Sequence, residues 1–261
     1  MATPKTLIKA TGLNQDFVVG KETIPVLKNV DFEITDNTFN IVYGQSGSGK
    51  STLLNILTGL QRPTTGNISF NGEDIYSYDS DKLARFRASR IGIVYQQNYW
   101  VQSLNVVENV AMPLFFLGYD QALAKDLAMI SLERVEMTKY AKQNPALLSG
   151  GEQQRISMAR ALVNDPLFII ADEPTGSLDS KNGDMIMDLL SKAYTDSLRT
   201  VILVTHNMEY LPLADHLLHI QDGEVQELKH NTIQATTNAL MKEMKDRIDK
   251  LATAKKHPRT L

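Results

Sequence analysis

A glycine-rich loop between an apolar strand and a helix is the feature that most constrains the fold of this chain. The segment "FNIVYG" has the length of a buried strand, and the loop "GQSGSGKST" follows directly at residues 44–52. The next segment, "STLLNILTGL", carries apolar residues at helical spacing and stops at Gly59. Because glycines let backbone N–H groups approach an anion closely, this order predicts a phosphate-binding loop.

The polar residues of this loop predict ATP and Mg²⁺ as its ligands. Lys50 would place a positive charge on the β- and γ-phosphates, and the Ser51 hydroxyl would ligate magnesium. The rest of the predicted nucleotide cradle consists of Gly44, Ser46, Gly47, Ser48, Gly49 and Thr52. The alternative, a chance match of the spacing, is disfavoured by the strand before the loop and the helix after it.

A second apolar strand ends in two adjacent carboxylates, in "LFIIADEPTGSLD" at residues 167–179. Such a strand can direct Asp172 to the magnesium ion while Glu173 polarises the attacking water. The alternative is that the two carboxylates only cap the following helix. The glycine loop earlier in the chain favours the catalytic interpretation.

Strands that alternate with helices predict an α/β protein with a mostly parallel sheet and ligands at the carboxyl ends of the strands. Residues 7–34 alternate apolar and polar side chains and predict short antiparallel strands. Residues 103–149 are predicted to be mostly helical, with breaks at Pro113 and Pro145. The length of 261 residues and the 43% hydrophobic content suit one core with a small subdomain.

Charge and composition exclude several classes of protein. The net charge of -3 is too balanced for a nucleic-acid binder, and a chain without cysteine has no disulfide, thiolate metal site or cysteine nucleophile. No stretch approaches the roughly 18 apolar residues that span a bilayer, and the N-terminus lacks the apolar core of a secretory signal. We therefore expect a cytoplasmic protein that reaches a membrane only through a partner.

The motif "LSGGEQQR" at residues 148–155 resembles the signature motif of ATP-binding-cassette (ABC) proteins. It lies between the Walker A segment (44–51) and the Walker B segment (167–172), in the order of that family. The resemblance implies an α/β P-loop NTPase (RecA-like) core with an N-terminal antiparallel β subdomain and an inserted α-helical subdomain. It also implies that Ser149, Gly150 and Gly151 contact the γ-phosphate of ATP held by a second copy, in a head-to-tail ATP-sandwich dimer.

Three further segments and one aromatic residue resemble features of the same family. "IVYQQ" resembles the Q-loop, which implies that Gln96 senses magnesium and the attacking water, and "SLD" resembles the D-loop, which implies that Asp179 lies at the dimer interface. "VTHN" implies that His206 contacts the γ-phosphate. Phe17 stands where the family has an aromatic residue that stacks on adenine, although an isolated aromatic residue in a strand is more often part of the core.

The segments "VLKNVDFEI", "RIGIVYQQ", "NVVENVAMPL" and "ADEPTGSLDS" narrow the resemblance to the group of MacB, LolD and FtsE, over about residues 7–227. Members of this group are ATPase subunits beneath a membrane permease. The resemblance implies a separately encoded permease, a periplasmic adaptor as a further partner, and a place at the cytoplasmic face of the inner membrane. The alternatives are an FtsE-like regulatory ATPase that signals to a cell-wall enzyme, and a soluble ABC ATPase without a transport role.

The segment "NYWVQSLNV" departs from this group, which usually has a leucine-leucine-proline stretch here, and Asn207 replaces a common aspartate. Tyr99, Trp100 and Val101 could form an apolar surface for the permease, because aromatic residues are favoured anchors at interfaces. The alternative is that Trp100 packs under the helical subdomain.

We expect residues 1–229 to form the ABC ATPase domain, with the helical subdomain inserted at about 98–160. Residues 230–261 are predicted to be a C-terminal extension with an amphipathic helix, since Met241, Met244, Ile248 and Leu251 share one helical face. We expect this helix to pack on its own cassette; the alternative is that it pairs with another chain or with the permease.

Overall fold

Two β-sheets with a helix between them organise the chain in the computed structural model, which describes residues 5–229, 232–233, 235, 237–238 and 242. The strands are β1 (Thr6–Val19), β2 (Glu22–Thr35), β3 (Phe39–Tyr43), β4 (Thr65–Phe70), β5 (Glu73–Asp74), β6 (Ile91–Val94), β7 (Phe168–Asp172), β8 (Thr200–Thr205), β9 (His216–Gln221) and β10 (Glu224–Lys229). The helices are α1 (Lys50–Leu57), α2 (Ser80–Arg90), α3 (Val106–Phe116), α4 (Gln121–Arg134), α5 (Gly150–Leu162) and α6 (Ser180–Thr195).

The first sheet is antiparallel, with the strand order β2-β1-β4-β5. Its strands β1 and β2 are 14 residues each, so the expectation of short strands was wrong in length although the antiparallel pairing was right. Their pairing register shifts at several points, and Gly12 and Asn29 next to these shifts have positive φ angles of 57° and 47°. Bulges of this kind let a long hairpin bend and continue pairing, so residues that interrupt the alternation do not end the strand.

The second sheet has six strands in the order β10-β9-β3-β8-β7-β6, and all neighbours pair in parallel except β10 with β9. Successive side chains of its strands face opposite sides, so Ile169 and Ala171 belong to one hydrophobic cluster and Phe168 and Ile170 to the other. The carboxyl ends of β3, β8 and β7 lie side by side at one edge. This arrangement confirms the predicted α/β P-loop fold and brings the three motif-bearing segments together.

Helix α1 follows the glycine loop and is buried between the two sheets. Leu53, Leu54, Ile56 and Leu57 lie in the cluster formed by the antiparallel sheet and one face of the parallel sheet. Full burial of each such side chain contributes about 1.5 to 3 kcal/mol of gross hydrophobic stabilisation. The apolar side chains of α1 therefore fix the start of the helix, and with it the glycine loop.

Helices α5 and α6 pack on the opposite face of the parallel sheet, and α3 and α4 pack on α5. Pro113 lies inside α3 and does not break it, contrary to the sequence expectation. Burial of Val106, Val110 and Leu114 on the same helix outweighs the one backbone hydrogen bond that Pro113 removes, and the helix ends only three residues later. Pro145 begins a short 3₁₀ turn, Pro145–Leu147, between α4 and α5.

Among the described residues, every helix is too short or too polar to cross a bilayer. The amphipathic helix predicted on Met241, Met244, Ile248 and Leu251 lies outside the described residues. Of the extension, Ile233 is described and is buried in the cluster beneath the helices.

Candidate functional site

The glycine loop at the end of β3 holds its lysine against its own backbone. Lys50 Nζ donates hydrogen bonds to the carbonyl oxygens of Gly44 at 2.9 Å and Gln45 at 3.0 Å. The lysine is 7% exposed, so its charge is held inside the loop. A positively charged side chain that curves back under a ring of backbone groups is suited to bind an anion in the loop's concave face.

Two glycines of the loop are also required by packing, which the phosphate argument did not anticipate. A Cβ atom on Gly44 would lie 2.4 Å from the Ile220 carbonyl oxygen and 2.6 Å from Ser48 Oγ. Gly49 has a φ of 108°, and a Cβ atom there would lie 3.0 Å from the Val26 carbonyl oxygen. The loop is therefore wedged between β9 and β2, and its shape is fixed by both sheets.

The loop contains polar groups whose partners are not protein atoms. The Ser48 hydroxyl oxygen is buried and has no hydrogen-bond partner, and the residue before α1, Gly49, supplies no side-chain cap. The first N–H groups of α1 therefore remain available at the positive end of the helix dipole. These groups, with Lys50, fit a phosphate chain; Ser46 and Ser51 are exposed beside them, and Thr52 is half-buried.

Glu173 and His206 are brought together at the ends of β7 and β8. The Glu173 N–H donates to the Val204 carbonyl oxygen at 2.8 Å, which continues the strand pairing one residue beyond β7. Glu173 itself has a φ of 42°, a left-handed conformation that is uncommon for a residue other than glycine. His206 follows two residues after Val204, and its Nδ1 lies 2.9 Å from Glu173 Oε1. A carboxylate held by an imidazole is suited to orient water and to accept its proton.

Asp172, Gln96 and Ser51 form the candidate magnesium site. Burial, and then the Glu173 carboxylate, raise the pKa of Asp172 above its ordinary value, while the charge of Lys50 lowers it. The Gln96 amide and the Glu173 carboxylate both border Gly176, at 3.2 Å and 3.7 Å from the position of a Cβ atom there.

The described residues contain no group of three or more His, Cys, Asp or Glu side chains that could hold a metal alone. The hydroxyl, amide and carboxylate oxygens of the three residues are the donors that magnesium prefers. Mg²⁺ commonly completes such a shell with water and substrate phosphates. The residues therefore fit a magnesium ion that binds together with a nucleotide.

The signature loop, residues 148–151, lies at the start of α5. Ser149 caps this helix in a capping box with Glu152: the Ser149 hydroxyl donates to Glu152 Oε2 at 2.8 Å, and the Ser149 N–H donates to the same oxygen at 3.0 Å. The Tyr140 hydroxyl also donates to the Glu152 carboxylate. These three hydrogen bonds, that of Tyr140 foremost, lower the pKa of Glu152.

The two signature glycines pack against the D-loop and α6 of their own chain. A Cβ atom on Gly151 would lie 2.4 Å from Asn182 Oδ1, and one on Gly150 would meet Leu178 at 3.7 Å. The Asn182 amide in turn donates to the Asp179 carboxylate at 3.0 Å. The D-loop and the signature loop thus form one continuous surface, which faces away from the packed core at the exposed residues Ser149, Gly150 and Asp179.

Phe17 lies near the end of β1, is 39% exposed, and pairs with Ile24 of β2. Two residues further along β2, Val26 contacts Gly49 of the glycine loop. Two residues of a strand span about 7 Å. Phe17 is therefore near the glycine loop with an exposed ring, as an adenine-stacking residue requires.

A groove of about 650 Å³ separates α2 from α3 on the side of the segment 95–101. The groove is lined by Tyr99, Val101 and Arg160, among others. Trp100 instead packs against the hydrophobic cluster that contains the buried residues of α3 to α6. The Arg160 guanidinium lies 4.5 Å from the centre of the Trp100 ring, and burial lowers the pKa of Arg160 to about 10. Of the three residues predicted to form a partner surface, Tyr99 and Val101 are exposed to the groove and Trp100 supports it.

Sequence reasoning did not single out Tyr140, Glu152, Gln153 or Asn182. The spacing Ser149-x-x-Glu152 is a capping-box signal that could have identified Glu152. Tyr140 and Asn182 contact the signature loop from other elements, and Gln153, inside the motif, pairs with Trp100 on another segment; no local pattern marks such contacts.

Comparison with known proteins places these features in a family. The model of the ABC transporter family matches residues 27–176. The ABC transporter ATP-binding protein MJ0796 of Methanocaldococcus jannaschii is 38% identical over 224 residues, which cover 84% of this chain and 95% of the relative. LolD of Buchnera aphidicola, a lipoprotein-releasing system ATP-binding protein, is 36% identical over 84% of this chain and 96% of its own.

The macrolide export ATP-binding/permease protein MacB of a Shewanella species is 39% identical over 83% of this chain, which spans 33% of MacB. A dimeric structure of MJ0796 in a post-hydrolysis state with ADP and phosphate superimposes with a TM-score of 0.80. It covers 86% of this chain and 99% of its own, at 37% identity.

Proposed function

This chain belongs to the ABC transporter family, and on that premise we propose that two copies of it close head to tail on ATP and so drive a separately encoded membrane permease. The chain binds and hydrolyses ATP, as the family and its structural neighbours do. The relatives named above are transporter ATP-binding proteins, so transport is favoured over the regulatory and the soluble alternatives.

The observation that carries the catalytic part of this proposal is the 2.9 Å contact of Glu173 with His206, at the same sheet edge as the glycine loop of Lys50. Glu173 orients the attacking water and accepts its proton, while His206 holds the Glu173 carboxylate in place and lies within reach of the γ-phosphate. Lys50 and the free N–H groups at the start of α1 stabilise negative charge on the phosphates.

Ser51, Asp172 and Gln96 are proposed to hold the magnesium ion of Mg-ATP. When bound, magnesium neutralises charge on the β- and γ-phosphate oxygens. The Asp172 carboxylate is half-buried, and its negative charge is costly to bury without a positive partner. A bound magnesium ion would be that partner.

The second copy completes each site through its signature loop. Ser149 and Gly150 are exposed at the positive end of α5, where an incoming γ-phosphate is favoured, and Gly151 is buried next to them against Asn182. Asp179 lies beside them through Asn182 and takes part in the same interface. Phe17 is proposed to stack on the adenine ring.

The permease is proposed to dock in the groove lined by Tyr99, Val101 and Arg160, at the cytoplasmic face of the inner membrane. A periplasmic adaptor is proposed as a further component of the complex. We divide the chain into an ATPase domain at 1–229, with a helical subdomain at about 98–160, and an extension at 230–261. No nucleic-acid partner is proposed.

The change Glu173→Gln tests the catalytic assignment. The amide keeps the size of the side chain but cannot accept a proton, so the rate of ATP hydrolysis should fall by roughly 10² to 10⁴ while ATP binding persists. The variant should accumulate as a dimer in Mg-ATP, which sedimentation velocity measures. Turnover close to that of the wild type would refute the role of Glu173.

The matched control is Glu133→Gln, which makes the same chemical change on the exposed side of α4 and should leave hydrolysis unchanged. Tagged Glu173→Gln protein in Mg-ATP should also retain an integral membrane protein from native membranes, identified by mass spectrometry. Recovery of soluble proteins alone would contradict the permease assignment and leave the ATPase assignment intact.

A further inference from the structure

Trp100 and the signature loop are joined by one side chain. The indole Nε1 of Trp100 donates to Gln153 Oε1 at 2.8 Å, and Gln153 Nε2 donates to the Leu148 carbonyl oxygen at 2.9 Å. Leu148 directly precedes Ser149. We propose that Gln153 is a positioning residue that couples the groove at Tyr99 and Arg160 to the signature loop. A conformational change in the groove then alters the signature loop, and a change in the signature loop alters the groove. This proposal rests on the function proposed above.

The chemistry of the three groups fixes the direction of both hydrogen bonds. An indole N–H can only donate and a carbonyl oxygen can only accept, so the amide of Gln153 must present its oxygen to Trp100 and its NH₂ group to Leu148. A rotation of the Gln153 amide breaks both bonds together. The two contacts therefore form or are lost as a unit.

Segment 95–101 is attached to α5 at three points. Gln154 Nε2 donates to the Tyr95 carbonyl oxygen at 3.1 Å, Arg160 donates to the Tyr99 carbonyl oxygen at 3.3 Å, and Trp100 donates to Gln153. Among these three, Gln153 is the side chain that also holds the residue before Ser149. The segment after Gln96, with the groove wall that it forms, is therefore attached to α5. The start of this same helix carries the signature loop.

Arg160 connects this link to the groove surface. It lines the groove, and its guanidinium stacks on Trp100 at 4.5 Å. A permease segment in the groove would contact Arg160 and Tyr99. A shift of either residue would change the packing around the Trp100 ring, because Arg160 stacks on that ring and Tyr99 precedes Trp100 in the chain. Coupling between two sites is reciprocal, so closure of the signature loop on ATP must also alter the surroundings of Trp100.

The chain's single tryptophan makes this coupling measurable. In the Glu173→Gln variant, Mg-ATP should change the fluorescence emission of Trp100 over the same range of ATP concentration that forms the dimer. Adding Gln153→Glu keeps an acceptor for Trp100 but removes the donor to Leu148. We expect that the double variant still dimerises and that its emission change is lost.

The matched control is Gln102→Glu, which adds the same charge two residues from Trp100 and leaves both hydrogen bonds in place; its emission change should persist. Dimerisation without an emission change in the Glu173→Gln variant, or an unaltered emission change after Gln153→Glu, would overturn the coupling. Failure of Glu173→Gln to dimerise would instead overturn the proposed function, and the coupling with it.

A second measurement does not depend on dimerisation. Trp100→Phe keeps an aromatic ring beside Arg160 but removes the N–H donor to Gln153. In the nucleotide-free protein, amide hydrogen exchange at residues 149–151 should become faster in this variant. Exchange equal to that of the wild type would show that Trp100 does not position the signature loop.

Discussion

At the scale of single residues, the glycines of the nucleotide loop combine two requirements. Gly44 leaves room for phosphate in the proposed site, and it must also fit against the Ile220 carbonyl oxygen, which a Cβ atom would approach to 2.4 Å. The carbonyl belongs to the central sheet and cannot move like the end of a flexible side chain. The geometry of the phosphate site is therefore set by the packing of the sheet behind it.

We predict that Gly44→Ala destabilises the nucleotide-free protein by about 1 to 3 kcal/mol, because the methyl group overpacks a rigid contact. The displaced loop should also bind ATP more weakly. Urea unfolding gives the free energy of unfolding, and equilibrium dialysis gives the ATP affinity.

Gly150→Ala is the control for the stability measurement. A Cβ atom at Gly150 meets Leu178 at 3.7 Å, an ordinary van der Waals distance, so the free energy of unfolding should stay close to that of the wild type. Equal destabilisation by both substitutions would contradict the packing role of Gly44.

At the scale of elements, the start of helix α5 is held by one carboxylate that accepts three hydrogen bonds. Glu152 accepts from the Ser149 N–H, the Ser149 hydroxyl and the Tyr140 hydroxyl. This capping box orients Ser149, which is proposed to contact the ATP bound by the second copy. Tyr140 belongs to a separate 3₁₀ turn, Thr138–Tyr140, so it ties the start of α5 to the first half of the connection from α4.

We predict that Tyr140→Phe raises the pKa of Glu152 toward its ordinary value of 4.5, because the largest cause of its lowering is removed. A carboxylate with a lowered pKa stabilises the fold above pH 4.5, and this contribution is lost as the pH falls through the pKa of the folded state. The wild type should therefore exceed the variant by about 1 kcal/mol or less at neutral pH, since the carboxylate is near solvent.

Urea unfolding of both proteins from pH 7 to below pH 4.5 checks this prediction, and the difference should shrink in the acid range. A difference that is independent of pH would mean that the Tyr140 hydroxyl acts through packing rather than through the charge of Glu152.

At the scale of the whole molecule, the two halves of each proposed ATP site lie on different copies of the chain. Lys50 is bound to the backbone of the glycine loop, whereas the Ser149 side chain is bound to Glu152 within the signature motif. A head-to-tail dimer gives each copy the part that the other lacks.

We predict that Lys50→Ala and Ser149→Arg are each inactive alone and regain ATP hydrolysis when mixed. Half of the dimers in an equal mixture are mixed dimers, and each of these has one intact site and one with both defects. About a quarter of the wild-type rate should return if the sites act independently. A mixture as inactive as its components would argue against the head-to-tail arrangement.

The sequence by itself determined the fold class and most of the candidate site. A glycine loop between a strand and a helix, and two carboxylates at the end of another strand, are local patterns whose chemistry allows few alternatives. The length of β1 and β2 and the continuation of α3 through Pro113 were not predicted, because bulges and burial can override a local break signal.

Only the tertiary structure decided which residues support these motifs. Trp100 and Gln153 are 53 residues apart in the chain, and Gly151 meets Asn182 across two helices. Hydrophobic periodicity fixes which face of an element is buried but not which polar side chains meet there. Those pairings depend on how the helices pack on the sheet, so they become visible only once the chain is folded.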